Sequence, residues 1–178
     1  FAPLGLTHTW APRPGDPAPQ GRVASYWEVA GGQLENVSDY QAAYDVQVPG
    51  GGGILGTPVE NVIFANAIAR GTWLSAEMHE AQLAWSPQSV AWARDRDDGF
   101  AYGLGLSRRE WTIDGEPTTW VGHTGGGAGT TALMMARPDA DYAIAVAANL
   151  GGFLGGPLNA FIDEDWVQEV LTAASAAP

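Results

Sequence analysis

Four consecutive residues, His123-Thr124-Gly125-Gly126, set an imidazole and a hydroxyl at the mouth of a glycine-rich run, "WVGHTGGGAGTTALMM" over 120–135. An imidazole supplies a hydrogen-bond donor or a cation according to pH, and a hydroxyl can bond a substrate carbonyl or carboxylate. Glycines on a strand let a substrate backbone come close, and their amides can point at a developing oxyanion. The chemistry expected here is recognition and charge stabilisation around a carbonyl carbon. A strand-end histidine before a bend is also an ordinary satisfied surface arrangement, so the elements around it must decide.

Other spacings are weaker. "GGGILG" fits the G-x-G-x-x-G pattern through Gly51, Gly53 and Gly56. A dinucleotide fingerprint needs a buried strand ahead of it and a βαβ repeat after it. The preceding "YDVQVP" alternates and ends in Pro49, and no such repeat follows, so a glycine-rich loop feeding a helix is the better reading. His79-Glu80 opens like a zinc-protease helix, yet the position four residues on is Leu83. No metal or other cofactor is expected, and His79 reads as part of a solvated helix face. His8 reads as a turn residue. Asn36-Val37-Ser38 is a glycosylation acceptor by pattern, which matters only in a eukaryotic secretory protein.

The positioning elements are legible in part. Thr57 as N-cap, Pro58 at the first helical position, Glu60 three residues after the cap and Gly71 as terminator predict a helix over 58–70. Val59, Val62, Ile63 and Asn66 would form its repeating face. A second helix opens at Ser75 and runs to about Leu83, with Leu74 and Met78 able to pack at its entry. From Gly99 the period changes to two, and four strands follow in "FAYGLGLSRREWTI", "TTWVGHTG", "TTALMMARP" and "YAIAVAAN", joined by turns at "DGEP" and "DADY". That is an antiparallel meander. Leu158, Ile162, Trp166 and Val170 then recur every four residues, an amphipathic helix expected to lie on the sheet. Ahead of all this, "APRPGDPAPQGR" at 11–22 favours an extended loop, and 23–50 reads as irregular with a short strand at Tyr44–Val48. The expected fold is α/β in the α+β sense, an antiparallel β-sheet flanked by helices. It forms one domain with a loop-rich segment (1–56), a helical subregion (57–98) and the sheet with its C-terminal helix (99–178).

At 178 residues a single domain buries on the order of 70% of the surface its unfolded chain exposes, enough for a core without covalent staples. There is no cysteine, which excludes disulfides and thiolate metal sites. All 8 basic residues are arginine, against 20 acidic ones, for a net charge of −12. Nucleic acid and anionic membranes are poor partners for such a surface. The long uncharged run from Tyr142 to Ile162 is interrupted by Asn149, Asn159, four glycines and Pro157, so no membrane span is expected. No basic, apolar leader follows Phe1.

Five segments in order resemble the C-terminal part of a serine hydrolase of the class C β-lactamase and penicillin-binding-protein superfamily, which also holds D-aminopeptidases and esterases. "APLGLTHT" resembles its P-L-G-M-x-x-T segment, "GGGGILGTPVENVIFANAIARGTWLS" its glycine-rich loop and following helix, and "YGLGL" its next strand. "GHTGGGAG", followed by the "MMARPDADYAIAVAAN" hairpin, resembles the third catalytic element, Lys/His-Thr/Ser-Gly. The resemblance implies a β-lactamase/transpeptidase-like fold and acyl transfer from a serine in S-x-x-K, with that lysine and a Y-x-N tyrosine as proton carriers. Neither motif is present: there is no lysine, and none of the five tyrosines is followed two places on by asparagine. Both precede the P-L-G-M segment in the family, so the nucleophile is expected in an upstream half of the same domain and the isolated chain is expected to be inactive. Carried over, Thr124 and Gly125 would contact a small-molecule or peptide substrate. Gly126 would donate one amide to the oxyanion hole, and His123 would stand in the lysine slot. A fixed ammonium suits a substrate carboxylate, whereas an ordinary imidazole is mostly neutral at pH 7. The resemblance therefore leans toward esters or peptides with a free amine. A non-catalytic relative holding a peptide by strand addition along a 118–124 edge is the alternative. Family members are often periplasmic or secreted and some are cytoplasmic, so no compartment follows.

Overall fold

The computed structural model describes residues 1–17, 20–48, 50–92, 99–151 and 165–175. In chain order the elements are strands β1 (Tyr26–Val29) and β2 (Gln33–Asn36), helices α1 (Ser38–Asp45), α2 (Pro58–Ala69), α3 (Ala76–Gln82) and α4 (Pro87–Trp92), strands β3 (Ala101–Tyr102), β4 (Ser107–Ile113), β5 (Glu116–Gly126), β6 (Thr131–Ala136) and β7 (Ala143–Ala148), and helix α5 (Asp165–Ser175). This is the expected architecture of an antiparallel sheet with helices.

Local chemistry explains most boundaries. Thr57 Oγ1 accepts from the Glu60 amide at 3.2 Å, and Ser75 Oγ accepts from Met78 N at 3.2 Å, so α2 and α3 begin where their caps stand. Met78, at the α3 entry, is 54% exposed. β4 and β5 are joined by Asp114 (φ 54°) and Gly115 (φ 81°), the left-handed pair that matches the twist of a two-residue hairpin.

The sheet order is β3-β4-β5-β6-β7, an antiparallel meander as predicted but of five strands, because the segment expected as one strand from Gly99 turns back between Tyr102 and Ser107 and forms both β3 and β4. β4 pairs antiparallel with β5 from Ile113↔Glu116 to Ser107↔Gly122, and β3 pairs Tyr102 with Ser107. Because β5 lies between β4 and β6, residues 118–122 are not a free edge. The expected docking edge along 118–124 is closed on the β4 side up to Gly122.

Residues 23–50 depart from expectation. They hold the β1–β2 hairpin and then α1, and Tyr44–Val48 contains no strand. The reason lies at Asn36, whose Oδ1 accepts from Ser38 N at 3.0 Å and from Ser38 Oγ at 2.6 Å and so turns the chain into a helix. Gly51, Gly53 and Gly56 are consequently not preceded by a strand. At Gly56 a Cβ would lie 2.9 Å from Thr9 Oγ1, a packing reason for that glycine.

The described residues fall into two compact units that interleave along the chain. One takes those in Phe1–Asn61, Thr124–Leu133 and Ala145–Ile162, the other those in Val62–His123, Met134–Ile144 and Asp163–Pro178. In the second, Ala65 and Ala69 of α2 meet Val121 and Ala136 of the sheet, with Leu83, Trp85, Met134 and Ala143 packed around them. The buried apolar residues of α2 are Ala65, Ala67, Ile68 and Ala69, while Val59 and Ile63 are exposed. The helix is apolar on every side, so spacing could not choose its inner face. Trp111 and Trp120 are almost fully buried, with ring centroids 5.2 Å apart, each worth about 4–6 kcal/mol of transfer free energy. The Trp120 indole N–H donates to Thr118 Oγ1 at 2.8 Å, and that hydroxyl donates to the Trp111 carbonyl at 2.8 Å. α5 lies on β4, as expected of the C-terminal helix, with Gln168 Oε1 accepting from Thr112 N at 2.8 Å. Its buried residues are Val167 and Leu171, one position on from the predicted Trp166 and Val170. Leu158 and Ile162 lie outside the described residues.

In the first unit the β1–β2 hairpin is tied to the end of β7. Tyr26 N donates to the Asn149 carbonyl at 2.9 Å and Gly151 N donates to the Tyr26 carbonyl at 2.8 Å. Trp10 and Leu55 exchange two backbone bonds, joining the segment before the proline-rich loop to the segment after the glycine run. Among the described residues no helix is long and apolar enough to cross a membrane.

Candidate functional site

β5 carries the predicted site on its C-terminal end. The ladder to β4 stops at Gly122, and His123, Thr124, Gly125 and Gly126 continue the strand beyond it. His123 and Thr124 are half-buried, while Gly125 and Gly126 are exposed. The glycines differ in what they tolerate. At Gly122 a Cβ would stand 2.0 Å from the Met134 carbonyl oxygen, so only glycine lets β5 meet its neighbour there. At Gly125 a Cβ would meet nothing within 4 Å, which leaves the backbone approachable from that side.

The bend after Gly126 is built from a distance. Gly127 N donates to the Thr130 carbonyl at 2.7 Å and closes the turn. A Cβ at Gly127 would meet the Gln41 carboxamide at 2.7 Å, and one at Gly129 would meet Ser25 Cβ at 2.6 Å and Val37 Cγ2 at 2.7 Å. Gln41, 2% exposed, accepts from Gly129 N at 2.7 Å through Oε1 and donates through Nε2 to Asp45 Oδ1 at 2.7 Å. Asp45 in turn pairs with Arg22 Nη2 at 2.7 Å, with side-chain exposures of 7% and 17%. A guanidinium, a carboxylate and an amide, spread over 22–45, therefore hold a bend at 127–129. With a cation on Asp45 and a donor from Gln41, the carboxylate is buried but compensated.

Tyr102 was also not foreseen. Its Oη lies 2.8 Å from His123 Nε2, and the two rings meet edge to face at 5.6 Å and 79°. No pattern in the sequence announced it: the pair arises because the chain turns between β3 and β4, so that Tyr102 pairs with Ser107 and Ser107 with Gly122, one residue before His123. Nothing in the sequence pattern could have paired Gln41 with Gly129, 88 residues apart.

The other histidines have structural partners. His79 does not sit on a solvated face. Its ring packs where a Cβ of Gly71 would be, and Nε2 donates to the Ala69 carbonyl at 3.2 Å, satisfying an orphan group at the α2 C-terminus. His8 lies in a bend, where its amide donates to Glu60 Oε1 at 2.9 Å. Glu60 also accepts from Thr7 N at 2.9 Å, from the His8 ring at 3.1 Å and from the Thr9 hydroxyl at 2.5 Å. Its carboxylate therefore ties residues 7–9 to α2 and leaves the Thr57 half of the capping box to stand by itself. Burial raises the Glu60 carboxyl, but the bonds from Thr9, His8 and Thr7 outweigh it and hold its pKa at about 2. A separate groove of about 660 Å³ is lined by Trp27 and by Glu35–Tyr40, and none of the predicted site residues lines it. Among the described residues no group of three or more His, Asp or Glu could hold a metal ion.

Solved structures share this arrangement of elements. The D-amino acid amidase of Ochrobactrum anthropi SV3, solved with L-phenylalanine amide, superposes with a TM-score of 0.74 at 20% identity, covering 98% of this chain and 49% of that one. A D-stereospecific amidohydrolase from a Streptomyces species gives 0.66 at 19% identity over 92% of this chain and 45% of that one. A penicillin binding protein from Bacillus halodurans gives 0.61 at 16% identity over 92% and 46%. At these identities the likeness shows the fold, and the chain spans about half the length of these structures. No curated protein matches the sequence. A family model described as Beta-lactamase matches residues 1–164, and on that match the chain belongs to the beta-lactamase family.

Proposed function

We propose that residues 1–178 form the substrate-strand part of a serine hydrolase that cleaves an amide or ester bond through an acyl-enzyme. In this reading Thr124 and the Gly125 backbone hold the acyl substrate, Gly126 N–H is one donor of the oxyanion hole, and His123 takes the place of a lysine as the polar group beside them. The nucleophilic serine, its lysine and the Y-x-N tyrosine belong to polypeptide outside these residues, since the chain has no lysine. Residues 1–178 by themselves are then inactive: losing one oxyanion donor slows such reactions about 10²–10³-fold, and losing the nucleophile removes the covalent route.

One observation carries the reading. His123-Thr124-Gly125-Gly126 run past the end of β4 with open space at Gly125, so a substrate backbone can lie along them. Family membership and the amidases among the similar folds support the chemistry. The test is hydrolysis of p-nitrophenyl esters and D-amino acid amides by the complete gene product, by residues 1–178 and by the complete product carrying Thr124→Ala. The expected order is active, inactive, and slowed by about tenfold or more. Turnover by residues 1–178 above buffer would overturn the assignment.

A further inference from the structure

The contact between Tyr102 and His123 does more than fill space. The phenol oxygen is 2.8 Å from Nε2 and the rings meet edge to face, so distance and tilt are fixed together. Tyr102 is itself anchored. Its N–H donates to Ser89 Oγ at 2.8 Å, its carbonyl accepts from Ser86 N at 2.8 Å, and it pairs with Ser107 on β4. At the next residue, Gly103, a Cβ would press to 3.0 Å and 3.1 Å on the Gln82 and Ala84 carbonyls, so the backbone there packs closely on the end of α3.

A phenol is a better donor than acceptor, and the bare nitrogen of a neutral imidazole is the better acceptor of the pair. A bond running from Tyr102 Oη–H to His123 Nε2 would put the ring proton on Nδ1, because the partner of one ring nitrogen decides the state of the other. We propose that Tyr102 is a positioning residue for His123, holding it in the Nδ1–H tautomer with a fixed ring plane. It thereby fixes which ring atom of His123, Nδ1–H, can be offered to a substrate as a donor. That role toward a substrate rests on the hydrolase reading above, but the tautomer does not.

The test has two arms. Residues 1–178 contain three histidines, few enough for long-range ¹H–¹⁵N NMR correlation to assign each ring in its neutral form. The wild-type chain should show His123 as Nδ1–H, and Tyr102→Phe should release it to the Nε2–H form or to a mixture, with the His79 signals unmoved as the check that the fold survives. Nε2–H in the wild type, or an unchanged tautomer in Tyr102→Phe, overturns the proposal whatever the protein hydrolyses. In the complete protein, Tyr102→Phe should lower kcat/KM by about two- to tenfold, the worth of one neutral hydrogen bond. An unchanged kcat/KM beside a changed tautomer would overturn the role toward substrate.

Discussion

The bend at 127–129 should fail when its remote support is cut, and Gln41 is the place to cut it. In Gln41→Ala, Gly129 N–H loses its acceptor at 2.7 Å in a buried setting, worth about 1–3 kcal/mol. Asp45 loses a donor at 2.7 Å to its charged carboxylate, worth about 1.5–3 kcal/mol more, although Arg22 stays. Together these come to about 2.5–6 kcal/mol, a large part of a typical domain stability of about 5–15 kcal/mol. Gln41→Glu is the gentler probe, since it keeps an acceptor for Gly129 but turns a carboxylate toward Asp45. Two carboxylates at that distance share a proton, which raises one pKa in the folded state above its unfolded value. By linkage, the deficit of the Glu variant relative to wild type should be small near pH 4–5 and grow as the pH rises through the raised folded value. Urea midpoints at both pH values and amide exchange at Gly129 read both effects. An unchanged midpoint and unchanged Gly129 protection in Gln41→Ala, or a pH-flat deficit in Gln41→Glu, would refute the idea that this relay holds the bend.

Further perturbations separate packing from chemistry. Gly122→Ala should destabilise by about 3 kcal/mol or more, because the added carbon meets the Met134 carbonyl, whereas Gly125→Ala should change the urea midpoint by no more than about 0.5 kcal/mol. Activity of the complete protein should show the reverse sensitivity at Gly125. Glu60, with its pKa held at about 2, contributes stability that is present above the ordinary carboxylate value and lost as the pH falls toward 2. Amide exchange at Thr7 and His8 should therefore accelerate between about pH 5 and 2 in the wild type and show no such transition in Glu60→Gln. Trp111→Ala should cost about 3–5 kcal/mol in equilibrium unfolding, since it empties a nearly fully buried ring site against Trp120. His123→Lys in the complete protein should favour carboxylate-bearing substrates, measured as kcat/KM ratios, with the urea midpoint little changed.

What the sequence made legible was local. Thr57, Ser75 and the Asp114-Gly115 turn act on their immediate neighbours, so α2, α3 and the β4–β5 hairpin could be placed from short patterns. Strict alternation after Gly99 gave the meander. The β1–β2 hairpin and α1 were missed because a single Asn36–Ser38 side-chain turn converts weakly alternating sequence into a helix, and no periodicity announces it. The inner face of α2 was misassigned because all its faces are apolar and the choice belongs to the sheet it meets. In the candidate site, His123 to Gly126 were visible as a motif, whereas Tyr102 and the chain from Arg22 through Asp45 and Gln41 to Gly129 depend on tertiary geometry.

Mass-spectrometric mapping of a fluorophosphonate adduct on the complete gene product goes straight to the heart of the account. The account predicts one labelled serine outside residues 1–178, a labelling rate reduced by Thr124→Ala, and no labelling of residues 1–178 expressed alone. Stoichiometric modification of a serine within the chain, such as Ser25, Ser38 or Ser107, would contradict it.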